Sequence, residues 1–138
     1  MRERNQKAGF ARDQRLYESV VALSSDSIKK SQGLRHAVKL SRTISSPFLK
    51  YKALTYVGSM VYVARISDFR ALVLMKEAVC TAKKLGACLG LEAVKEILRV
   101  AENNGFEGDI MKALKSSTNI EDMAVKAMYY WKEHPTEE

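Results

Sequence analysis

Leu34-Arg-His-Ala37-Val-Lys-Leu-Ser41-Arg-Thr-Ile44-Ser-Ser46-Pro47-Phe-Leu-Lys-Tyr-Lys-Ala53-Leu54-Thr-Tyr56-Val57-Gly-Ser-Met60 reads as helix, turn, helix. In the first half, Gly33, Ala37, Leu40 and Ile44 recur at three and four residues and share one helical face. Arg35, Lys39 and Arg42 fall on the opposite face, so the helix is amphipathic with a basic outer stripe. Ser46-Pro47 then breaks the pattern. Proline suits a first helical position, where its missing N–H has no intrahelical partner, and Ser46 can cap in front of it. Ala53, Leu54, Val57, Met60, Val61 and Ala64 carry the helical spacing on to about Arg65.

The same pattern returns 41 residues later. Leu34 pairs with Met75, Arg35 with Lys76, Ala37 with Ala78, Val38 with Val79, Ser41 with Ala82, Arg42 with Lys83 and Ile44 with Leu85. In the second helix Ala53 pairs with Val94, Tyr56 with Ile97, Val57 with Leu98 and Met60 with Ala101. Small, basic and turn positions match along with apolar ones. A period of about 40 residues lies in the range of helical-hairpin repeats, whose units bury their apolar faces only by stacking on neighbours. Any two amphipathic helices share part of such a match, because spacings of three and four force it.

The flanking segments read as helices too. Residues 1–11 are polar and contain Gly9, which predicts a flexible basic arm, with the first helix starting at Asp13 and carrying Leu16, Val20 and Leu23 inward. Ser25 or Asp26 is the expected cap of the second helix. Ser67-Asp68 opens a fourth helix that ends near Gly86, a left-handed C-cap. Leu89 to Asn103 gives a fifth, with Leu91, Val94, Ile97, Leu98 and Ala101 inward. Asp109 opens a short sixth helix. Thr118-Asn-Ile-Glu121 fits a capping box for the last helix, which runs to about Glu133 before an acidic tail at 134–138. No segment alternates with period two. The expectation is an all-α chain of six to seven helices in one domain, stacked as antiparallel hairpins.

Composition narrows the class. At 138 residues and 46% hydrophobic, the chain is long enough for one core and too apolar for disorder. No apolar run reaches the roughly 18 residues of a membrane span, and the charged start has no apolar stretch behind it, so neither a membrane nor a secretory context is expected. The default location is the cytoplasm. The net charge of +7 is unevenly distributed: residues 1–89 hold 17 Lys and Arg against six Asp and Glu, whereas residues 90–138 hold six against ten. Residues 28–67 contain no acidic side chain.

Such a field favours an anionic partner. The candidate surface is Lys29, Lys30, Arg35, Lys39, Arg42, Lys50 and Lys52, able to neutralise a few phosphates. No aromatic-rich single-strand platform and no recognition-helix pattern accompanies it, which argues against sequence-specific readout. The alternative is a dipolar molecule whose basic half meets the acidic half of a second copy. A second candidate set is Tyr129, Tyr130 and Trp131 beside Lys126 and Lys132, as partner anchors or base-stacking rings. Consecutive helical residues point in different directions, so the preferred expectation is that one or two of the three pack in the core and that Trp131 closes the stack.

Catalytic chemistry is poorly supplied. His36 sits among basic residues, and His134 precedes a proline. Cys80 and Cys88 are eight apart with no histidine nearby, a spacing unsuited to zinc and better read as buried thiols. Gly86-Ala-Cys-Leu-Gly90 lacks the Lys-Ser/Thr of a phosphate loop. No enzyme activity, metal or cofactor is expected.

Ala37-Val-Lys-Leu-Ser-Arg-Thr-Ile44-Ser-Ser-Pro47-Phe-Leu-Lys-Tyr-Lys-Ala53-Leu54-Thr-Tyr-Val57-Gly resembles a degenerate tetratricopeptide-like unit of archaeal helical-repeat proteins, over roughly residues 30–101. This resemblance implies a scaffold for protein–protein interaction with no catalytic residues. Leu54-Thr-Tyr56-Val-Gly-Ser-Met-Val-Tyr-Val-Ala64-Arg65 and Ala124-Val-Lys-Ala-Met-Tyr129-Tyr130 resemble the small helical subunits of multi-subunit CRISPR effector complexes. That likeness implies a basic subunit binding nucleic acid non-specifically within a ribonucleoprotein.

Overall fold

The computed structural model describes residues 2–25 and 30–134, with side chains for 9–25 and 32–134. Among them there are seven helices and no strand: α1 Arg2–Ser25, α2 Lys30–Thr43, α3 Pro47–Val63, α4 Asp68–Lys83, α5 Ala87–Asn103, α6 Gly108–Thr118 and α7 Ile120–Glu133. The chain is all-α. None of these helices is long and apolar enough to cross a membrane.

Helix α3 is the centre of the packing, and its sequence explains why. It carries no acidic residue, and its buried positions run round the helix: Leu49, Tyr51, Ala53, Leu54, Thr55, Val57, Gly58, Ser59 and Val61. A helix that is apolar all round must be covered all round, and α3 packs against α1, α2, α4 and α5. Its buried hydroxyls are satisfied internally, Thr55 Oγ1 donating to the Tyr51 carbonyl at 2.6 Å and Ser59 Oγ to the Thr55 carbonyl at 2.8 Å. The Ser46-Pro47 start forms as expected, with Ser46 Oγ accepting from the Leu49 N–H. Ser67 caps α4 in the same way through the Arg70 N–H.

The other helices lie around α3. Helix α2 buries Leu34, Ala37 and Ser41, with Ile44 buried just past its end, and turns Arg35, Lys39 and Arg42 outward, as the sequence periodicity requires. Helix α5 packs on α4, α6 and α7, burying Val94, Ile97 and Ala101, while Leu98 is half-buried. The positions paired by the 41-residue offset are buried alike at Leu34 and Met75, Ala37 and Ala78, Ser41 and Ala82, and Ala53 and Val94. They differ at Val38 and Val79, Ile44 and Leu85, Tyr56 and Ile97, Val57 and Leu98, and Met60 and Ala101, where one member is buried and the other half-buried.

Several expectations are corrected. Helix α1 begins at Arg2 rather than Asp13. Its first turns are rich in Arg, Gln, Lys and Ala, good helix formers that outweigh the roughly 1 kcal/mol deficit of Gly9. Asp13 is therefore no cap. Buried in mid-helix, its Oδ1 and Oδ2 accept from the Ser45 and Ser46 N–H groups at 3.0 and 2.9 Å, which ties α1 to the α2–α3 turn. Ser25 does not cap α2, because it ends α1 and donates to the Val21 carbonyl, and Asp26 lies outside the described residues.

The capping box at Thr118 is absent. Thr118 is the buried last residue of α6 and donates to the Lys115 carbonyl, while Asn119, in the left-handed conformation at φ 55°, makes the whole turn into α7. Helix α4 ends at Lys83, and Gly86 with φ 99° leads into α5 instead of closing α4. Cys80 is exposed and Cys88 half-buried, so neither is the buried thiol expected. Cys80 sits off the α4 stripe of Ala71, Leu74, Met75, Ala78 and Ala82 that faces the core. The tail beyond His134 lies outside the described residues.

Candidate functional site

Helices α2 and α4 both pack on α3, and their outward faces leave a groove of about 540 Å³ between them. From α2 it is lined by Arg35, Val38, Lys39 and Arg42, and from α4 by Phe69, Arg70, Val73 and Leu74. The register follows from helical geometry. Arg35, Lys39 and Arg42 lie opposite the buried Ala37–Ser41 face, and Phe69, Arg70 and Val73 lie opposite the buried Ala71–Met75–Ala78 face. The floor is apolar and the rim is cationic. Phe69 is 75% exposed, an unusual state for a phenylalanine standing among four positive charges.

Arg42 is the one rim cation with a partner among the described residues. Its Nε donates to Glu77 Oε2 at 3.1 Å and its Nη2 to Oε1, a two-pronged pair that bridges α2 and α4. The Glu77 hydrogen bond raises the guanidinium further above its already high range, against a smaller opposing effect of burial. Glu77 thus neutralises one end of the stripe. Arg35, Lys39 and Arg70 carry no ion pair among the described residues.

The groove gathers part of the expected surface. Arg35, Lys39 and Arg42 line it, while Lys50 and Lys52, half-buried on α3, do not. Lys52 Nζ lies 4.4 Å from the centroid of the Phe48 ring, a cation–π contact that occupies it elsewhere. Lys29 lies outside the described residues, as does the side chain of Lys30. Phe69 and Arg70 were not anticipated. The available signal was Phe69 with Val73, an apolar pair at i and i+4 on the wrong side of α4.

The aromatic set on α7 is corrected in the opposite direction. Tyr129, Tyr130 and Trp131 are all exposed, and none packs in the core. Helix α7 packs against α5 through Ala127, its one fully buried residue among those described, with Ile120 and Met123 half-buried against the core. Val125 and Met128 are exposed beside them. Tyr130 meets Trp131 edge-on at 6.4 Å and the His134 ring at 4.5 Å.

A third feature was not foreseen. Tyr17, Tyr51, Tyr56, Lys52, Thr55, Glu96 and Val100 line a cavity of about 170 Å³ between α1, α3 and α5. The Tyr51 hydroxyl donates to Glu96 Oε2 at 2.6 Å. Burial first, then the hydrogen bond and charge of Glu96, push the Tyr51 phenol well above its ordinary range. Burial, with Tyr56 and Glu96 nearby, raises Tyr17 as well. The Tyr56 hydroxyl lies 3.0 Å from Ser25 Oγ, so the cluster fastens the end of α1 to α3. At about 170 Å³ the cavity has the volume of a small organic molecule, and its hydroxyl and carboxylate groups are engaged in contacts that clamp the helices together.

Comparison with family models, with curated proteins and with solved structures finds no match to this chain.

Proposed function

We propose that the chain is a non-catalytic binding module that mediates assembly with a protein partner. One observation carries this reading: α7 packs on the core through Ile120, Met123 and Ala127 and presents Val125, Met128 and Tyr129 on its outward side, with Tyr130 and Trp131 exposed at the edges. Tyrosine and tryptophan supply large contact area for little lost side-chain freedom and dominate interface energetics. An exposed apolar face of this kind on a folded chain marks an interaction surface. The 41-residue self-match and the tetratricopeptide-like stretch support the same class, since stacked hairpins serve chiefly as scaffolds.

The test is a Met128→Asp, Tyr129→Asp double variant. Both side chains point outward, so the fold should survive. Affinity capture with mass spectrometry should recover a defined set of proteins with the parent and with a Phe69→Ala control, and lose that set with the α7 variant. An identical set from the α7 variant overturns the reading.

The groove favours a second reading: a basic helical subunit that binds nucleic acid non-specifically within a larger ribonucleoprotein. Its basis is the three cations Arg35, Lys39 and Arg70, with no acidic residue lining the groove beside them.

A further inference from the structure

We infer that the α2–α4 groove is a single-strand nucleic-acid site in which the sugar-phosphate backbone runs along Arg35, Lys39 and Arg70 and a base stacks on Phe69. The inference rests on the second reading above and adds the class of strand, the stacking residue and the path.

Charge complementarity identifies the occupant. From Arg35 to Lys39 the α2 stripe rises about 6 Å, the spacing of roughly two stacked nucleotides, and Arg70 adds a third cation from α4. Arg42 is held by Glu77, which leaves three cations for phosphates. The aromatic ring decides the strand. Phe69 projects into solvent beside these cations, above a floor of Val38, Val73 and Leu74. A duplex hides its base faces in its own stack and gives that ring nothing to cover. A single strand offers an unstacked base to it and phosphates to the rim, the arrangement by which sequence-independent single-strand proteins bind. A purely acidic peptide, without apolar side chains, would engage the cations and leave the ring unused.

The test uses fluorescence anisotropy with labelled dT20, U20 and a 20-base-pair duplex, at 50 and 200 mM salt. The parent should bind both single strands more tightly than the duplex. With three phosphates neutralised, its single-strand affinity should fall about 20-fold between the two salts. Phe69→Ala should weaken single-strand binding by roughly 5- to 100-fold and leave duplex binding within about 2-fold, while Phe69→Trp restores it. Lys39→Glu with Arg70→Glu should abolish binding to all three. These side chains are exposed, and circular dichroism and thermal melting confirm that each variant is folded.

Three results overturn the inference, and they differ in what else they remove. No binding by the parent at 50 mM salt removes the basic-face reading as well. Equal affinity for single strand and duplex, with Phe69→Ala unchanged, leaves that reading standing and removes the single-strand site. Displacement of dT20 by a 20-residue poly-glutamate at comparable concentration assigns the groove to an acidic protein.

Discussion

Replacing Asp13 tests how the molecule is joined. Asp13 is 4% exposed, and each carboxylate oxygen accepts one backbone N–H of the α2–α3 turn, Ser45 at 3.0 Å and Ser46 at 2.9 Å. A hydrogen bond to a charged group contributes roughly 1.5–3 kcal/mol, and an abandoned buried donor loses its hydration without compensation. Asp13→Ala removes both bonds and should destabilise by about 3–6 kcal/mol, a large part of the roughly 5–15 kcal/mol available to a domain. At about 0.3 kcal/mol/K of unfolding entropy for this length, Tm should drop by roughly 10–20 °C. Asp13→Asn keeps the shape and one acceptor but sets an NH₂ against the second amide, so about 1–3 kcal/mol should be lost. Thermal and urea unfolding followed by circular dichroism measure both. The order parent, Asn, Ala is the decisive outcome. If both variants melt within about 2 °C of the parent, Asp13 does not anchor the turn, and the packing of α1 against the α2–α3 connection is wrong.

Other substitutions probe separate parts of the fold. Leu54, fully buried on α3, should cost about 2–5 kcal/mol when truncated to Ala, and an unchanged urea midpoint would place that face in solvent. Tyr51 is raised above the ordinary phenol value near 10, so its contribution is complete below pH 10 and is lost as pH climbs above it, where the unfolded chain ionises first. Tyr51→Phe should lower stability at neutral pH and flatten the fall above pH 10; parallel stability curves from pH 8 to 11 would show that the phenol is not held neutral. A Cβ on Gly33 would come within 2.7 Å of the Leu23 carbonyl oxygen, whereas one on Gly9 would meet nothing within 4 Å. Gly33→Ala should therefore destabilise by about 1–3 kcal/mol while Gly9→Ala stabilises by up to about 1 kcal/mol, and equal effects of the two would refute the close approach of α1 and α2.

The helices were legible because one mechanism produces them. Ala37, Leu40 and Ile44, or Val94, Ile97 and Ala101, recur with the helical period because one face of each helix is buried. Boundaries with a local cause were legible as well: Ser46 before Pro47 and Ser67 before Asp68 both cap through their hydroxyls. Boundaries decided by distant partners were not. Asp13 has the chemistry of a cap, and only its approach to Ser45 and Ser46, more than 30 residues on, makes it a tertiary clamp. Thr118 satisfies the capping-box pattern, yet its hydroxyl turns back to Lys115 because the chain reverses at Asn119.

The candidate surfaces divide along the same line. Arg35, Lys39 and Arg42 lie on one helix, so their shared stripe is a property of sequence spacing alone. Their meeting with Phe69 and Arg70 needs α2 and α4 to flank α3, which no spacing within either helix encodes. The neutralisation of Arg42 by Glu77, 35 positions away, belongs to that same approach. Lys50 and Lys52 show the converse. They continue the basic run in sequence, but the Ser46-Pro47 turn places them on another helix, and Lys52 sits over Phe48. On α7 the spacing of three consecutive aromatic residues predicts one or two of them toward the core. That rule presumes a neighbour on each apolar face. Helix α7 meets α5 over the strip of Ile120, Met123 and Ala127, and Val125, Met128 and Tyr129 on its other side stay exposed. Phe69 in the groove and Met128 and Tyr129 on α7 are apolar residues left outside the core, and on the proposals above substitutions there should change binding while leaving the melting temperature near that of the parent.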